Sequence, residues 1–135
     1  MKILRYIPLF IIILIVYNMM FLSGVSFTCT DEPIFEIPLM SKSSLLVLPG
    51  DFMLILSILV LYIEIFRATR TSIASIIDHS LSLLTFILFL IEFIVMPGAS
   101  TSIFLIITLM SLLDVLAGFT ITLSTAKRDI AVISQ

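Results

Sequence analysis

The sequence predicts an all-α membrane protein, a bundle of four transmembrane helices with both termini in the cytoplasm. Of its 135 residues, 61% are hydrophobic and 12% are charged, whereas soluble domains are about 45–50% apolar and about 25% charged. Four apolar stretches meet or approach the length of about 20 residues that crosses about 30 Å of hydrocarbon. Basic residues fall at alternate ends of these stretches, as the positive-inside rule requires.

The composition excludes several classes of protein. A chain this short cannot hide so much apolar surface in one soluble core, because small domains bury the smallest fraction of their surface. The net charge of −2 provides no basic surface for nucleic acid. A single cysteine, Cys29, excludes an internal disulfide or a thiolate metal cage, and a single histidine, His79, excludes a bis-histidine haem site. We therefore expect one integral membrane domain, residues 1–135, without cofactor or metal.

The first apolar stretch, about residues 6–25, must be distinguished from a signal peptide. Lys2 and Arg5 precede it as an n-region would. However, its apolar run exceeds the usual 7–15 residues, and no A-x-A-like cleavage site follows it. The segment at 26–29 is also a poor lipoprotein site, because the aliphatic residue expected three positions before the cysteine is missing. We expect an uncleaved helix.

The loop at about 26–49 separates the first span from the second. Phe35, Ile37 and Leu39 alternate with other residues, as in a strand with one apolar face. Residues 44–48 can pair back across the turn at 40–43. The pattern predicts a small β-hairpin, which would have to lie on the bundle or on the membrane because an isolated hairpin is marginal in water.

Turn and capping residues delimit the other three helices, which we expect at about 50–67, 73–96 and 101–125. Pro97-Gly98 ends the third helix, and the connection to the fourth is so short that the two must be antiparallel neighbours. The candidate N-caps are Asp51 for the second helix, Thr71 or Ser72 for the third, and Ser100 or Thr101 for the fourth.

The basic residues orient the four spans. Six of the seven fall on one side: Lys2, Arg5, Arg67, Arg70, Lys127 and Arg128. Only Lys42 falls on the other side, in a loop that carries Asp31, Glu32 and Glu36. Three spans would divide the basic residues between both faces. We therefore expect a multi-pass protein of a bacterial inner (plasma) membrane.

Asp114 is the polar residue that most requires explanation. It lies thirteen residues before Lys127, roughly 20 Å along a helix, and a charged aspartate at the bilayer centre costs roughly 2.5–3.5 kcal/mol. Small and polar residues share its helix face: Thr108, Ser111, Gly118, Thr122 and Thr125. This face is either a close-packing surface or a proton- or cation-binding site. Asn18 of the first helix lies thirteen residues after Arg5, which places it at about the same depth as Asp114. We therefore expect Asn18 to contact Asp114 or Ser111.

A second polar group is expected near the cytoplasmic side. Glu64 precedes Arg67 by three residues, a spacing that allows an intrahelical ion pair. A short basic turn joins the second and third helices, so Glu64 or Arg67 can meet Asp78 or His79. Such a cluster either fixes the helical hairpin or acts as a pH-sensitive gate. Glu92, near the outer end of the third helix, is expected in contact with solvent or a loop residue.

Several stretches resemble a family of short, uncharacterised, four-span proteobacterial inner-membrane proteins. They are Thr69–Ser72, Ile77-Asp78-His79, Glu92-Phe93, Pro97–Ser102, Leu113-Asp114-Val115, Ala117–Thr120 and Arg128-Asp129. The resemblance implies the four-span topology and carries no function or site residue. Small multidrug transporters fit less well, since they place an essential carboxylate in the first helix, where this chain has Asn18. Haem-anchoring respiratory subunits need more histidine than His79.

The sequence contains no nucleophile–base pair, phosphate-binding glycine loop or metal cluster, so we do not expect an enzyme. The leading hypothesis is a non-enzymatic accessory, assembly or scaffold protein that acts through helix–helix contacts. Its partners would be the lipid bilayer, together with another membrane protein or a second copy of the chain. The alternative is a small ion-coupled transporter or channel-like protein that uses Asp114, with Glu64 and His79 as a relay.

Overall fold

The computed structural model describes residues 7–27, 32–69 and 73–133, with side chains described to residue 128 and, in the last segment, from residue 77. Within these ranges the chain forms four α-helices and one two-stranded sheet. They are α1 (Phe10–Leu22), β1 (Phe35–Pro38), β2 (Ser44–Val47), α2 (Pro49–Ala68), α3 (Ile73–Val95) and α4 (Ser102–Ile133). Three helical segments are long and apolar enough to cross a membrane: Pro49–Ala68, Ile77–Val95 and Ser102–Arg128.

Helix α1 is shorter than the expected span of 6–25. Its 13 residues extend about 20 Å, less than the hydrocarbon thickness. Gly24, at φ 88°, ends the helix. The N–H groups of Gly24 and Val25 donate to the carbonyls of Phe21 and Met20, which is a Schellman motif. The apolar pattern continues to Val25, but the glycine terminates the helix first. Position 6 lies outside the described residues.

Helix α2 begins at Pro49, with Leu48 as its N-cap, three residues earlier than an Asp51 N-cap would allow. Proline suits the first helical position because its fixed φ and missing N–H cost nothing there. Asp51 lies in the first turn, and its Oδ2 accepts from the N–H of Leu48 at 3.0 Å. The carboxylate therefore supports the helix start from inside the helix, where it also complements the helix dipole.

Helices α3 and α4 pack against each other as antiparallel neighbours, joined by a 3₁₀ turn at Pro97–Ala99. The Thr101 hydroxyl accepts from the N–H of Phe104 at 3.1 Å, so Thr101 is the N-cap of α4. Helix α4 continues to Ile133, eight residues beyond its expected end, because no glycine or proline follows Thr125. The candidate caps Thr71 and Ser72 of α3 lie outside the described residues.

The expected hairpin is present. Strands β1 and β2 are antiparallel, with Phe35 opposite Val47 and Ile37 opposite Leu45. Lys42 adopts a left-handed φ of 63° in the turn, and the N–H of Leu39 donates to the carbonyl of Ser43 at 2.9 Å. The side chains of β1 are all exposed, so the hairpin projects from the bundle.

An aromatic core fills the space among the helices at the end where α3 meets α4. Tyr17 of α1 stacks on Phe27, with ring centroids 4.2 Å apart, and meets Phe104 of α4 edge-on at 4.7 Å. Phe104 also contacts Phe89 of α3. Polar contacts fix the same tyrosine, because its hydroxyl donates to the carbonyl of Gly98 at 3.2 Å and lies 3.1 Å from the Thr101 hydroxyl. Tyr17 thereby fastens α1 to the α3–α4 connection.

We predict that Tyr17→Phe lowers the stability of the protein in mild detergent by about 1–2 kcal/mol, since two buried hydrogen bonds are lost while the ring is kept. Tyr17→Ala should cost about 3–5 kcal/mol, because the buried ring is lost as well. Thermal unfolding followed by circular dichroism measures both. The control is Tyr62→Phe at a side chain that is 69% exposed, and an equal loss in that control would contradict the assignment.

Candidate functional site

Buried polar side chains from α2, α3 and α4 meet on the side of the aromatic core away from the α3–α4 turn. We call Glu64, Arg67, Asp78, His79 and Asp114 the acidic cluster. Glu64, His79 and Asp114 are at most 6% exposed, and Arg67 and Asp78 each expose 20% of their side chains. The cluster is therefore buried in its interior and reaches the surface at its edge.

Glu64 and Arg67 connect the end of α2 to the start of α1. Glu64 Oε1 accepts from the backbone N–H of Leu9, at the amino end of α1. It also accepts from Arg67 Nη1 at 3.3 Å, and the same Arg67 nitrogen donates to the carbonyl of Ile7. A carboxylate at a helix amino terminus satisfies an otherwise unpaired N–H and is favoured by the helix dipole.

Arg67 also joins α2 to α3. Its Nη2 donates to both carboxylate oxygens of Asp78, at 3.2 and 3.3 Å. One guanidinium, which contacts a carboxylate in each helix, thus holds α2 and α3 together beside their connection. Arginine suits this position because its planar guanidinium presents five donors in fixed directions.

His79 is held in place by the close approach of α3 and α4 at Gly118. A Cβ at Gly118 would lie 2.3 Å from His79 Nδ1, so only glycine lets the imidazole occupy this position. The ring lies 6.1 Å from that of Phe119 and is 6% exposed. His79 is also in electrostatic range of Asp78. The glycine on the polar face of α4 therefore accommodates an imidazole from the same chain.

Asp114 faces the bundle interior and completes the cluster. Its carboxylate accepts a hydrogen bond from the Ser82 hydroxyl of α3, and it lies in electrostatic range of Asp78 and Arg67. It also interacts electrostatically with Glu64. Each of the three long helices thus contributes a carboxyl group to one buried region.

The polar face of α4 continues above Asp114. Thr108 and Ser111 are 3% and 1% exposed, respectively. The Thr108 hydroxyl donates to the carbonyl of Phe104 at 2.8 Å, a bond within its own helix. Ser111 Oγ has no hydrogen-bond partner among the described residues. It lies one helical turn from Asp114, on the same face.

Asn18 has hydrogen-bond partners other than the expected Asp114 or Ser111. Its Nδ2 donates to Glu92 Oε1 at 2.7 Å and to the carbonyl of Leu14 at 3.1 Å. The depth estimate was wrong because it counted helical rise from Arg5, whereas α1 begins only at Phe10. Asn18 is consequently near the end of α1 and level with Glu92. Glu92, expected to meet solvent or a loop, has this amide of α1 as its partner.

Two participants were not identified from the sequence. Ser82 lies three residues after His79 and four after Asp78, so helical spacing places it on the same face of α3. The other is the backbone N–H of Leu9, which bonds Glu64. No side-chain pattern marks that donor, although the start of any apolar helix carries N–H groups without helical partners.

The cluster carries three carboxyl groups and one guanidinium, with one imidazole beside them. Among the described residues, no group of three His, Cys, Asp or Glu side chains is arranged to hold a metal ion. An uncompensated buried carboxylate is strongly unfavourable, and protonation removes its charge without further ligands. The arrangement is therefore suited to taking up and releasing a proton.

We predict that Gly118→Ala destabilises the protein and that the sign of this effect depends on His79. In the wild-type background the new methyl group clashes with the imidazole, at a cost of about 1–3 kcal/mol. In a His79→Ala background the space is open, so the same substitution should be neutral or stabilise the helix by up to about 1 kcal/mol. Thermal unfolding of the four proteins gives the coupling directly. Additive effects would contradict the contact.

No protein-family model matches this chain, and no curated protein or solved structure matches it. The functional conclusion below therefore depends on the residues and their geometry.

Proposed function

We propose that the protein is a small ion-coupled membrane protein that binds and releases a proton at the acidic cluster, with Asp114 and Glu64 as the proton-binding carboxyl groups. The observation that supports this most is the meeting of three carboxyl groups from three helices around a single guanidinium. An aspartate alone at mid-depth would make a poor relay. Asp114 has Glu64 and Asp78 within electrostatic range.

The proposal follows from the cost of burial. An isolated charge near the bilayer centre costs roughly 2.5–3.5 kcal/mol, and intramembrane acids serve in proton relays. Arg67 contacts Glu64 and Asp78 directly, whereas Asp114 receives a neutral hydroxyl from Ser82. Among the described residues, three ionised carboxylates beside one guanidinium would leave two negative charges in a buried region. One bound proton halves this excess, and exchange of that proton is the proposed chemistry.

Access to the cluster supports the same conclusion. Arg67 and Asp78 are partly exposed, so protons can enter beside the α2–α3 connection. Above the cluster, the aromatic core closes the bundle with Phe10, Phe89 and Phe104, none of them more than 1% exposed. In the part of the chain that the structure describes, the partly exposed groups of the cluster therefore lie beside the α2–α3 connection. Coupled transport would require the helices to move so that the cluster opens to the other side.

We further propose that the chain crosses a bacterial inner membrane four times with both termini cytoplasmic, as a member of the short four-span family that its sequence resembles. The basic residues support this topology. The 13 residues of α1 would require a locally thinner bilayer at that helix, whereas α2, α3 and α4 have sufficient apolar length. A short span can be accommodated by local thinning of the bilayer.

An accessory or scaffold role is the competing proposal, and the contacts of the polar face of α4 make it less well supported. It would act through helix–helix contacts, for which the small-residue face of α4 is one candidate surface. In this chain Gly118 accommodates His79, and Thr108, Ser111 and Asp114 are buried among the protein's own helices. That face is occupied within the chain, which leaves the ion-coupled function as the better supported one.

We predict that a pH jump displaces charge in the wild-type protein and that Asp114→Asn lowers the displaced charge, because one of the two proton-binding carboxyl groups is lost. Asparagine keeps the hydrogen bond to Ser82 but cannot take up a proton. Proteoliposomes adsorbed on a solid-supported membrane report such displacement as a transient current. The measurement does not require a known substrate. Asp114→Glu should retain the current with a shifted pH midpoint, because a carboxyl group is preserved.

The matched control is Glu36→Gln, which removes a carboxylate from the exposed hairpin and should leave the current unchanged. If Asp114→Asn displaces as much charge as the wild type, the proton-binding function is wrong. Retained assembly with a partner in that variant would then favour the accessory role.

A further inference from the structure

The β1–β2 hairpin presents one apolar face that no part of the described chain covers. Residues directly opposite each other in an antiparallel pair lie on the same face. Phe35, Ile37, Leu45 and Val47 therefore share one face. Phe35, Ile37 and Leu45 are 58%, 48% and 49% exposed. The opposite face carries Glu36 and Ser44, together with Pro38 and Leu46.

The hairpin leaves the bundle at the level where the membrane-spanning helices begin. Strand β2 ends at Val47, and α2 starts at Pro49. Gly50 lies directly against the side chain of Ile103, near the start of α4. The starts of α2 and α4 are therefore level with each other. Because both helices are long and apolar enough to span a bilayer, the base of the hairpin coincides with a membrane boundary.

The first turns of α2, which follow the hairpin directly in the chain, also expose apolar side chains. In the first turns of α2, Phe52 and Ile55 are 40% and 52% exposed, as lipid-facing side chains of a span are. Met40 at the hairpin tip is fully exposed, with Lys42 beside it to reach headgroup phosphates. A two-stranded hairpin is marginal in water by itself, and exposed apolar patches rimmed by polar residues mark interaction surfaces.

We infer that the hairpin is a membrane-interface element, which lies on the bilayer with the Phe35–Ile37–Leu45 face in the acyl region and the Glu36 face towards water. The partner is thus the lipid surface itself. Burying these side chains in lipid stabilises a hairpin that has few contacts elsewhere. This inference rests on the membrane placement of α2 and is independent of proton binding at the acidic cluster.

A single-tryptophan experiment tests it, because the chain has no tryptophan of its own. Ile37→Trp and Glu36→Trp place the probe at adjacent positions on opposite faces of β1. Both sites are exposed, so neither substitution removes core packing. The proteins are reconstituted into phosphatidylcholine vesicles that contain brominated acyl chains, and fluorescence quenching is measured. Tyr62→Trp on the exposed surface of α2 is the positive control.

We expect the Ile37→Trp probe to be quenched by the brominated chains about as strongly as the Tyr62→Trp probe, and several-fold more than the Glu36→Trp probe. Aqueous iodide should show the reverse order. Two probes on β1 that are quenched equally by iodide and not by bromine would place the hairpin in water. If neither bromine nor iodide quenches the Ile37→Trp probe, and if this protection increases with the protein-to-lipid ratio, the face is in contact with a second copy. Either outcome overturns the inference.

Discussion

The contact of Arg67 with Glu64 and Asp78 is the interaction on which the arrangement of the helices depends. Arg67 bonds Glu64 in its own helix, Asp78 in α3 and the carbonyl of Ile7 before α1. In a buried environment, removing one partner of such a group costs about 3–5 kcal/mol, because a charge is left uncompensated. Three helix ends are therefore fixed relative to one another by one guanidinium. The position of Asp114, which packs on Ser82 of α3, follows from the same arrangement.

Much of the helical architecture could be predicted from the sequence. Apolar runs of span length and the Pro97-Gly98 break are local features, and they define α2, α3 and the start of α4. The alternation at Phe35, Ile37 and Leu39 similarly predicted the hairpin. The error at α1 also has a local cause, since Gly24 ends that helix inside an apolar run. Apolar pattern alone does not distinguish a helix from its non-helical continuation.

The site was predictable only where spacing along one helix decides the contact. The Glu64–Arg67 pair follows from a separation of three residues, and Asp78 follows from the short α2–α3 connection. Contacts between distant helices depend on rotation and relative height, which a sequence does not specify. Asn18 for this reason meets Glu92 rather than Asp114. The approach of Gly118 to His79 likewise requires the three-dimensional packing of α3 on α4.

The acidic cluster and the Asn18–Glu92 pair are two polar regions at different heights in the bundle. The acidic cluster holds the groups proposed to exchange a proton, and the Asn18–Glu92 pair lies at the level of the aromatic core, next to Tyr17 and Phe93. Tyr17 fastens α1 across the core to the α3–α4 connection.

The central claim is the proposal that the acidic cluster binds and releases a proton, with Glu64 and Asp114 as the proton-binding carboxyl groups. Infrared difference spectroscopy between two pH values tests it most directly, because the C=O stretch of a protonated carboxylic acid is separate from that of a carboxylate. Proton binding by these two groups predicts a protonated-carboxyl band that is altered by Glu64→Gln and also by Asp114→Asn. A band that neither substitution changes, or the absence of any such band in the wild type at every pH, would contradict the claim.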